Sequence, residues 1–321
     1  MTSDPIFDIV GVGESSIDEV YRLPAFPQLH GADAKVRVTS RTRSPGGQVA
    51  TALCTCASFG LRAAYVGAVG GDEDGRVLLD ALAARGVDTT HVRTCDAATR
   101  HAAILIDERT GERAVLWDRD PRLALTAADL PARAIAGARA VHVDNVDEEI
   151  AIAAARMARA AGRPVTTDID AIGRRTEELV TAATAAIFGE AALAALTGEA
   201  DPERALRALR RRHAATLCTT LGGRGAMLLD GDRLHRVPGY AVTAVDTTGA
   251  GDVFRGAFIY ALLRGDTPEQ MLTFANAAAA VSCTREGAIG GVPTLGDVQG
   301  FLEHGHLPAR TGHPKTDTDD R

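Results

Sequence analysis

From residue 126 onward the sequence alternates short apolar runs with longer segments of helical period, and few folds accommodate that alternation. Strands are expected over 140–143, 164–167, 185–188 and 215–219, with helices near 147–161, 190–197 and 202–213. Strands joined through helices run parallel, so the chain should be an α/β fold built on a mostly parallel central sheet with helices on both faces. Such sheets bind ligands beyond the carboxyl ends of their strands. Polar residues collect at those ends: Asp144-Asn145, Asp168 and Asp170, and Thr219-Thr220 ahead of Leu221-Gly222-Gly223-Arg224-Gly225.

The first half is less regular. Residues 7–13 read as a buried strand and turn, but Gly11-x-Gly13-x-x-Ser16 lacks the third glycine and the apolar helix of a dinucleotide site. Asp18 follows as a carboxylate just past a core strand, a position for a ligand contact or for a turn. Ser44-Pro45-Gly46-Gly47 introduces a small-residue helix over 48–60, and paired glycines there allow a ligand close to the backbone. The acidic loop 70–75 lacks the ligand alternation of a calcium site and reads as a solvated helix cap. Residues 34–39 alternate as a half-exposed strand, and 102–107 with 113–117 flank a hairpin turn at 108–112. Together they form a small β-element suited to act as a lid.

The chemistry concentrates in Val245-Asp246-Thr247-Thr248-Gly249-Ala250-Gly251-Asp252, which runs into an apolar helical segment. Unpaired N–H groups at a helix start, backed by the helix dipole, hold an anion such as phosphate, and Gly249 and Gly251 let it approach. Asp252 then stands where it takes a proton from an incoming hydroxyl. Alanine-rich helices over 252–263 and 268–284 follow, then a flexible glycine loop over 287–293 and a last short helix. The polar tail 309–321 should be disordered.

Composition narrows the class of function. A net charge of −7 gives no electrostatic footprint for nucleic acid, and an acidic phosphotransferase relies on magnesium to bring a polyphosphate close. Five scattered cysteines, mostly in apolar runs, suit reduced thiols. No apolar run approaches the roughly 20 residues of a membrane span, and residues 1–7 lack a signal-peptide layout, so no membrane partner and a cytoplasmic location are expected.

These motifs, taken together, resemble the ribokinase-like (phosphofructokinase-B type) carbohydrate kinase family over residues 6–304. Asp246-Thr247-Thr248-Gly249-Ala250-Gly251-Asp252 is similar to its C-terminal signature, and Gly46-Gly47 with the following helix to its N-terminal one. No Walker A sequence occurs, so a P-loop kinase is excluded. The resemblance implies a three-layer α/β/α sandwich over 1–308 with a β lid from about 19–43 and 99–118. It implies Asp252 as catalytic base and the N–H groups of Gly249, Ala250 and Gly251 as anion hole. Asp18, Gly46, Gly47 and Thr51 fall at sugar-binding positions; Thr220, Gly222 and Gly225 fall at contacts to the nucleotide, and Asn276 beside its adenosine. ATP and magnesium are implied as cofactors, and potassium beside the anion hole at the loop of Asp246 and that of 287–291.

Three positions depart from the family pattern. Thr51 replaces the usual asparagine, and Gly189-Glu190-Ala191-Ala192 replaces Asn-x-x-Glu, leaving Glu190 or Asp168 to serve magnesium-bound water. Arg255 stands where asparagine is common, either meeting an anion or lying exposed on its helix. The stretch 274–285 and the degenerate region at 189 look most like the ketohexokinase and sulfofructose-kinase branch. That implies a ketose or modified ketose phosphorylated on a primary hydroxyl, its hydroxyls read by Asp144 and Asn145, with His101 or Arg119 approaching from the lid. A nucleoside kinase, or a sugar- or nucleotide-binding protein without turnover, are the alternatives. Lid strands with uncovered edges point to a homodimer.

Overall fold

The computed structural model describes residues 6–28, 30–31, 34–110 and 113–305. The expected tail at 309–321 and residues 111–112 of the hairpin turn lie outside the described residues. In chain order the strands are β1 (Ile9–Val12), β2 (Ser16–Leu23), β3 (Ser40–Gly46), β4 (Ala63–Gly70), β5 (Val87–Cys95), β6 (His101–Asp107), β7 (Arg113–Asp118), β8 (Ala140–Asp144), β9 (Val165–Ile169), β10 (Ala185–Gly189), β11 (Thr216–Thr220), β12 (Ala226–Asp230) and β13 (Arg233–Val237). The helices are α1 (Gln48–Ser58), α2 (Glu73–Ala84), α3 (Ala132–Gly137), α4 (Glu148–Ala160), α5 (Thr176–Ala182), α6 (Glu190–Thr197), α7 (Pro202–Arg210), α8 (Ala250–Arg264), α9 (Pro268–Ser282), α10 (Ala288–Gly291) and α11 (Leu295–His304).

Nine strands form the main sheet in the order β13-β12-β11-β10-β9-β8-β1-β4-β5. It is parallel from β5 to β11, and only the β12 and β13 additions run antiparallel. Neighbouring side chains on one strand face opposite ways, so Ile9 joins one apolar layer and Val10 the other. The first layer is covered by α1, α8, α9 and α11, with Leu53, Phe258, Val281 and Phe301 at its centre. The second is covered by α3 to α7, with Ile135, Ile152, Leu179 and Leu206. The three-layer sandwich expected from the alternation is therefore present.

Helices α1 and α8 touch without a side chain between them at Gly256. A Cβ there would stand 2.5 Å from the Ala52 carbonyl oxygen and 2.6 Å from Thr55 Cβ, and Cys56 Sγ donates to the Gly256 carbonyl at 3.4 Å.

A second sheet, β3-β2-β6-β7, rises from one end of the first. Its members differ from the expected 34–39 plus hairpin: residues 35–39 carry no strand, and the outer strand is β3. Most of β3 is exposed, so it lacks the apolar alternation that marks a half-buried strand. The glycine stretch 287–293, read as a flexible loop, contains the short helix α10.

Candidate active site

The carboxyl ends of β1, β8 and β9 open toward the N-termini of α1 and α8, and the expected phosphoryl and acceptor residues lie between them. Helix α8 starts at Gly249, whose φ of 76° is left-handed and whose lack of a side chain leaves the helix end uncapped. A Cβ on Gly249 would stand 2.8 Å from Ala288 Cα and 3.4 Å from Thr51 Cγ2, so the turn is walled by α10 and α1. Of the three N–H groups expected in an anion hole, that of Ala250 turns back to the Thr247 carbonyl at 3.3 Å. The Asp246 carboxylate accepts the N–H of Thr248 and that of Gly287, each at 2.9 Å, which fastens the loop ahead of α8 to the loop ahead of α10. Asp252 lies half-buried in the first turn. Burial pushes its carboxyl above the usual range, the Arg255 guanidinium opposes that shift, and the charges of Asp170 and Asp18 add to it.

Asp18 projects from β2 into the same space and is buried. It accepts the Ser16 hydroxyl at 2.7 Å, and burial raises its carboxyl against that bond and the Arg100 charge. Gly46 has no room for a side chain because the Asp18 carboxylate fills it. Gly47, at φ 99°, packs its Cα against the backbone of Glu14 and Ser15. The Thr51 hydroxyl is buried without a hydrogen-bond partner, an uncommitted polar group on the acceptor side.

The oxygens of Asp144 accept the N–H groups of Glu14 at 2.6 Å and Val146 at 3.1 Å, so it ties the β1 turn to the β8 turn at the expected strand end. Burial raises it to about 6. Asn145 donates to the Ala171 carbonyl at 2.6 Å. His101 is exposed, and Arg119 pairs with Asp147 at 2.5 Å, with Glu14 at 3.9 Å.

Glu14 itself was not singled out in the sequence, although it stands in the turn after the first strand. It is buried against Arg100 at 2.5 Å, in a cavity shared with Arg119, Asp144 and Asp147. Burial pushes it up to about 8, with the Arg100 charge opposing. A carboxyl raised on folding binds a proton in the native state that the unfolded chain has released, so stability falls as pH rises from about 4.5 to 8. Glu14→Gln should remove that slope, up to about 1.4 kcal/mol per pH unit, and its thermal midpoint should fall less between pH 5 and 8 than the parent's.

Among the residues expected to meet a nucleotide, Thr220 ends β11 with its hydroxyl donating to the Phe188 carbonyl at 3.5 Å, and the chain turns through Gly222 and Gly225. A Cβ on Gly225 would strike the Val237 carbonyl and stand 2.5 Å from Gly239 N, so this glycine also serves the packing of β13. Asn276 on α9 donates to the Val237 and Pro238 carbonyls at 3.1 and 3.2 Å, holding that segment beside the turn. Glu190, at the start of α6, pairs with Arg224 across the same rim. Arg255 is neither an exposed helix residue nor open to solvent: it is 1% exposed and bound to Asp168 and Asp170. The sequence marked it as standing where asparagine is common in the family, and the exposed position it allowed for is the one the structure does not show.

A family model described as pfkB family carbohydrate kinase matches residues 8–295. The chain is 31% identical to fructokinase-1 of Oryza sativa subsp. japonica, over 92% of this chain and 97% of that one. It is also 31% identical to an ATP-dependent ribose-1-phosphate kinase of Halopiger xanaduensis, again over 92% and 97%. The Arabidopsis thaliana ribokinase solved with ribose and ATP superposes with a TM-score of 0.80 at 24% identity, over 94% and 99% of the two chains. With both glycine signatures at one cleft and a match that spans the sandwich, the chain belongs to the pfkB family of carbohydrate kinases.

Proposed function

We propose that the protein transfers the γ-phosphoryl group of ATP to a primary hydroxyl of a ketose or modified ketose, with Asp252 as base. The observation that carries this reading is that the acceptor and phosphoryl glycines meet at Ala288, 3.5 Å from a Cβ on Gly46 and 2.8 Å from one on Gly249, with the Asp18 charge acting on Asp252 and that of Asp246 on Asp18. Asp18, Gly46, Gly47 and Thr51 line the acceptor side, and Gly249 to Gly251 the phosphoryl side. Thr220, Gly222, Gly225 and Asn276 border the nucleotide. Phosphoryl transfer needs alignment and charge neutralisation more than covalent assistance, and this arrangement offers both. The ketose preference leans on the fructokinase relatives.

Among the described residues no group of three or more acidic, histidine or cysteine side chains is arranged to hold a metal. Magnesium in such sites is carried chiefly by phosphates and water, and of the two candidates the half-exposed Glu190 suits contact through that water shell, whereas Asp168 is buried against Arg255. When bound, the ion neutralises phosphate charge. The Asp246 loop, fixed to the 287–291 loop, is the place we assign to a potassium ion.

A coupled assay for ADP release over ketoses, aldoses and nucleosides, with magnesium and with or without potassium, tests all of this together. Turnover on a ketose supports the reading; turnover confined to nucleosides, or thermal stabilisation by a sugar with no ADP release, overturns it.

The homodimer is proposed through β7, the edge of the small sheet. Val115, Leu116 and Trp117 are 49%, 57% and 63% exposed there, an uncovered apolar strand of the kind that pairs with a second copy. Leu116→Asp is expected to give a monomer in sedimentation; a monomeric parent removes the proposal.

A further inference from the structure

Arg255 lies on α8 three residues after Asp252, and its guanidinium is fixed from two sides. Nη2 stands 2.6 Å from an Asp168 oxygen and 2.6 Å from an Asp170 oxygen. Helical side chains lean toward the N-terminus, and Nη1 accordingly reaches 2.6 Å from where a Cβ on Gly251 would stand. The guanidinium thus fills the place a side chain at 251 would take, directly behind the anion turn. Nε is buried with no hydrogen-bond partner. A buried arginine and its carboxylates do not in general stabilise a fold better than apolar side chains of the same volume, which directs attention to function.

The groups around it leave Arg255 as the source of positive charge. His142 on β8 is held at about 3 by burial and by Arg255, so it is neutral. Cys218 on β11 is pushed up to about 12 by burial and stays a thiol. Asp168 on β9, Asp170 just after it, Asp252 on α8, Asp144 on β8 and Asp18 on β2 supply only acidic groups.

We propose that Arg255 is a positioning residue of phosphoryl transfer, held by Asp168 and Asp170 so that its charge backs the Gly249-Ala250-Gly251 turn and the Asp252 carboxylate together. The inference rests on the kinase reading above. In the transfer the acceptor oxygen bonds to the γ-phosphorus, and the bond from that phosphorus to ADP breaks with its electron pair leaving on ADP. The hydroxyl proton passes to Asp252. Charge on the phosphoryl oxygens faces the start of α8, where the helix alone supplies roughly half a positive charge. Arg255 adds positive charge, offset in part by Asp168 and Asp170, that is already in position before the reaction begins. The same charge favours the ionised form of Asp252.

Calorimetric binding of ADP and of the β,γ-imido analogue of ATP, each with magnesium, tests this in the parent, R255K, R255M and R255M/D168N. The double variant removes the buried countercharge and so preserves folding if R255M loses it. Expected are ADP affinities within about twofold and a roughly 10-fold loss of the added affinity for the analogue in R255M and the double variant, with partial recovery in R255K. The acid limb of kcat/KM should also move to higher pH in R255M. An unchanged ratio of the two affinities and an unchanged limb in a folded variant overturn the proposal. A parent that binds neither nucleotide overturns the kinase reading first, and the proposal with it.

Discussion

Asp252→Asn is expected to lower kcat by about 10²–10⁴-fold, the span that a positioned base contributes, while ADP and sugar affinities stay within about threefold. Asparagine keeps the shape and loses only the proton acceptor. Folding should not confound the result. A carboxyl raised by burial contributes stability that is lost as pH rises through its folded value, so the amide should be at least as stable as the parent at pH 8. In the parent, the base works only when ionised. Activity should therefore fall on acidification at a pH above the ordinary carboxylate value of about 4, and kcat/KM measured from pH 5 to 9 locates that limb. Equal turnover in the variant sinks the assignment of Asp252.

Gly47→Ala should cost stability heavily for a single methyl group. Its φ of 99° is strained for any side chain, and the new Cβ would run into the backbone of Ser15 and stand 2.9 Å from the Glu14 carbonyl oxygen. Neither neighbour yields as a flexible side chain would. A cost of about 3 kcal/mol follows, which lowers the thermal midpoint by roughly 6 °C and displaces the acceptor wall formed by residues 13–18. Gly60→Ala is the control. Its φ of 90° is equally left-handed, but nothing lies within 4 Å of the added methyl, so it pays the backbone term alone. Scanning calorimetry on both variants separates the two contributions, and equal midpoints would remove the steric part of this account.

The central sheet was legible because buried strands and amphipathic helices announce themselves by period, and the start of α8 because a glycine turn runs into an apolar segment of helical period. What escaped the sequence lacked such a signal. β3 is exposed along most of its length, so no apolar alternation marks it, and the alternating residues 34–39 drew the expectation instead. β12 and β13 add to the sheet antiparallel, outside the strand–helix rhythm. The fastening of the β1 and β8 turns through Asp144 escaped too, because the backbone N–H groups its oxygens accept come near only in the folded turn. Arg255 stood out as a departure from the family pattern, but its partners could not be read, because Asp168 at the end of β9 and Asp170 just after it lie 87 and 85 positions away.

The contact of α1 and α8 at Gly256 has a bearing on reactivity. One helix starts after Gly47 and the other at the turn of Gly249, and about two turns below them α8 meets α1 at Gly256, which puts no side chain of its own between the two. With the site assigned as proposed, the separation between hydroxyl and phosphorus is therefore calibrated inside the core, like the fixed jaw of a caliper, whatever the small sheet does above it. A shift of 1 Å in such alignment costs about 10²-fold in rate. Methylating the joint would thus detune the chemistry from a position that touches neither substrate.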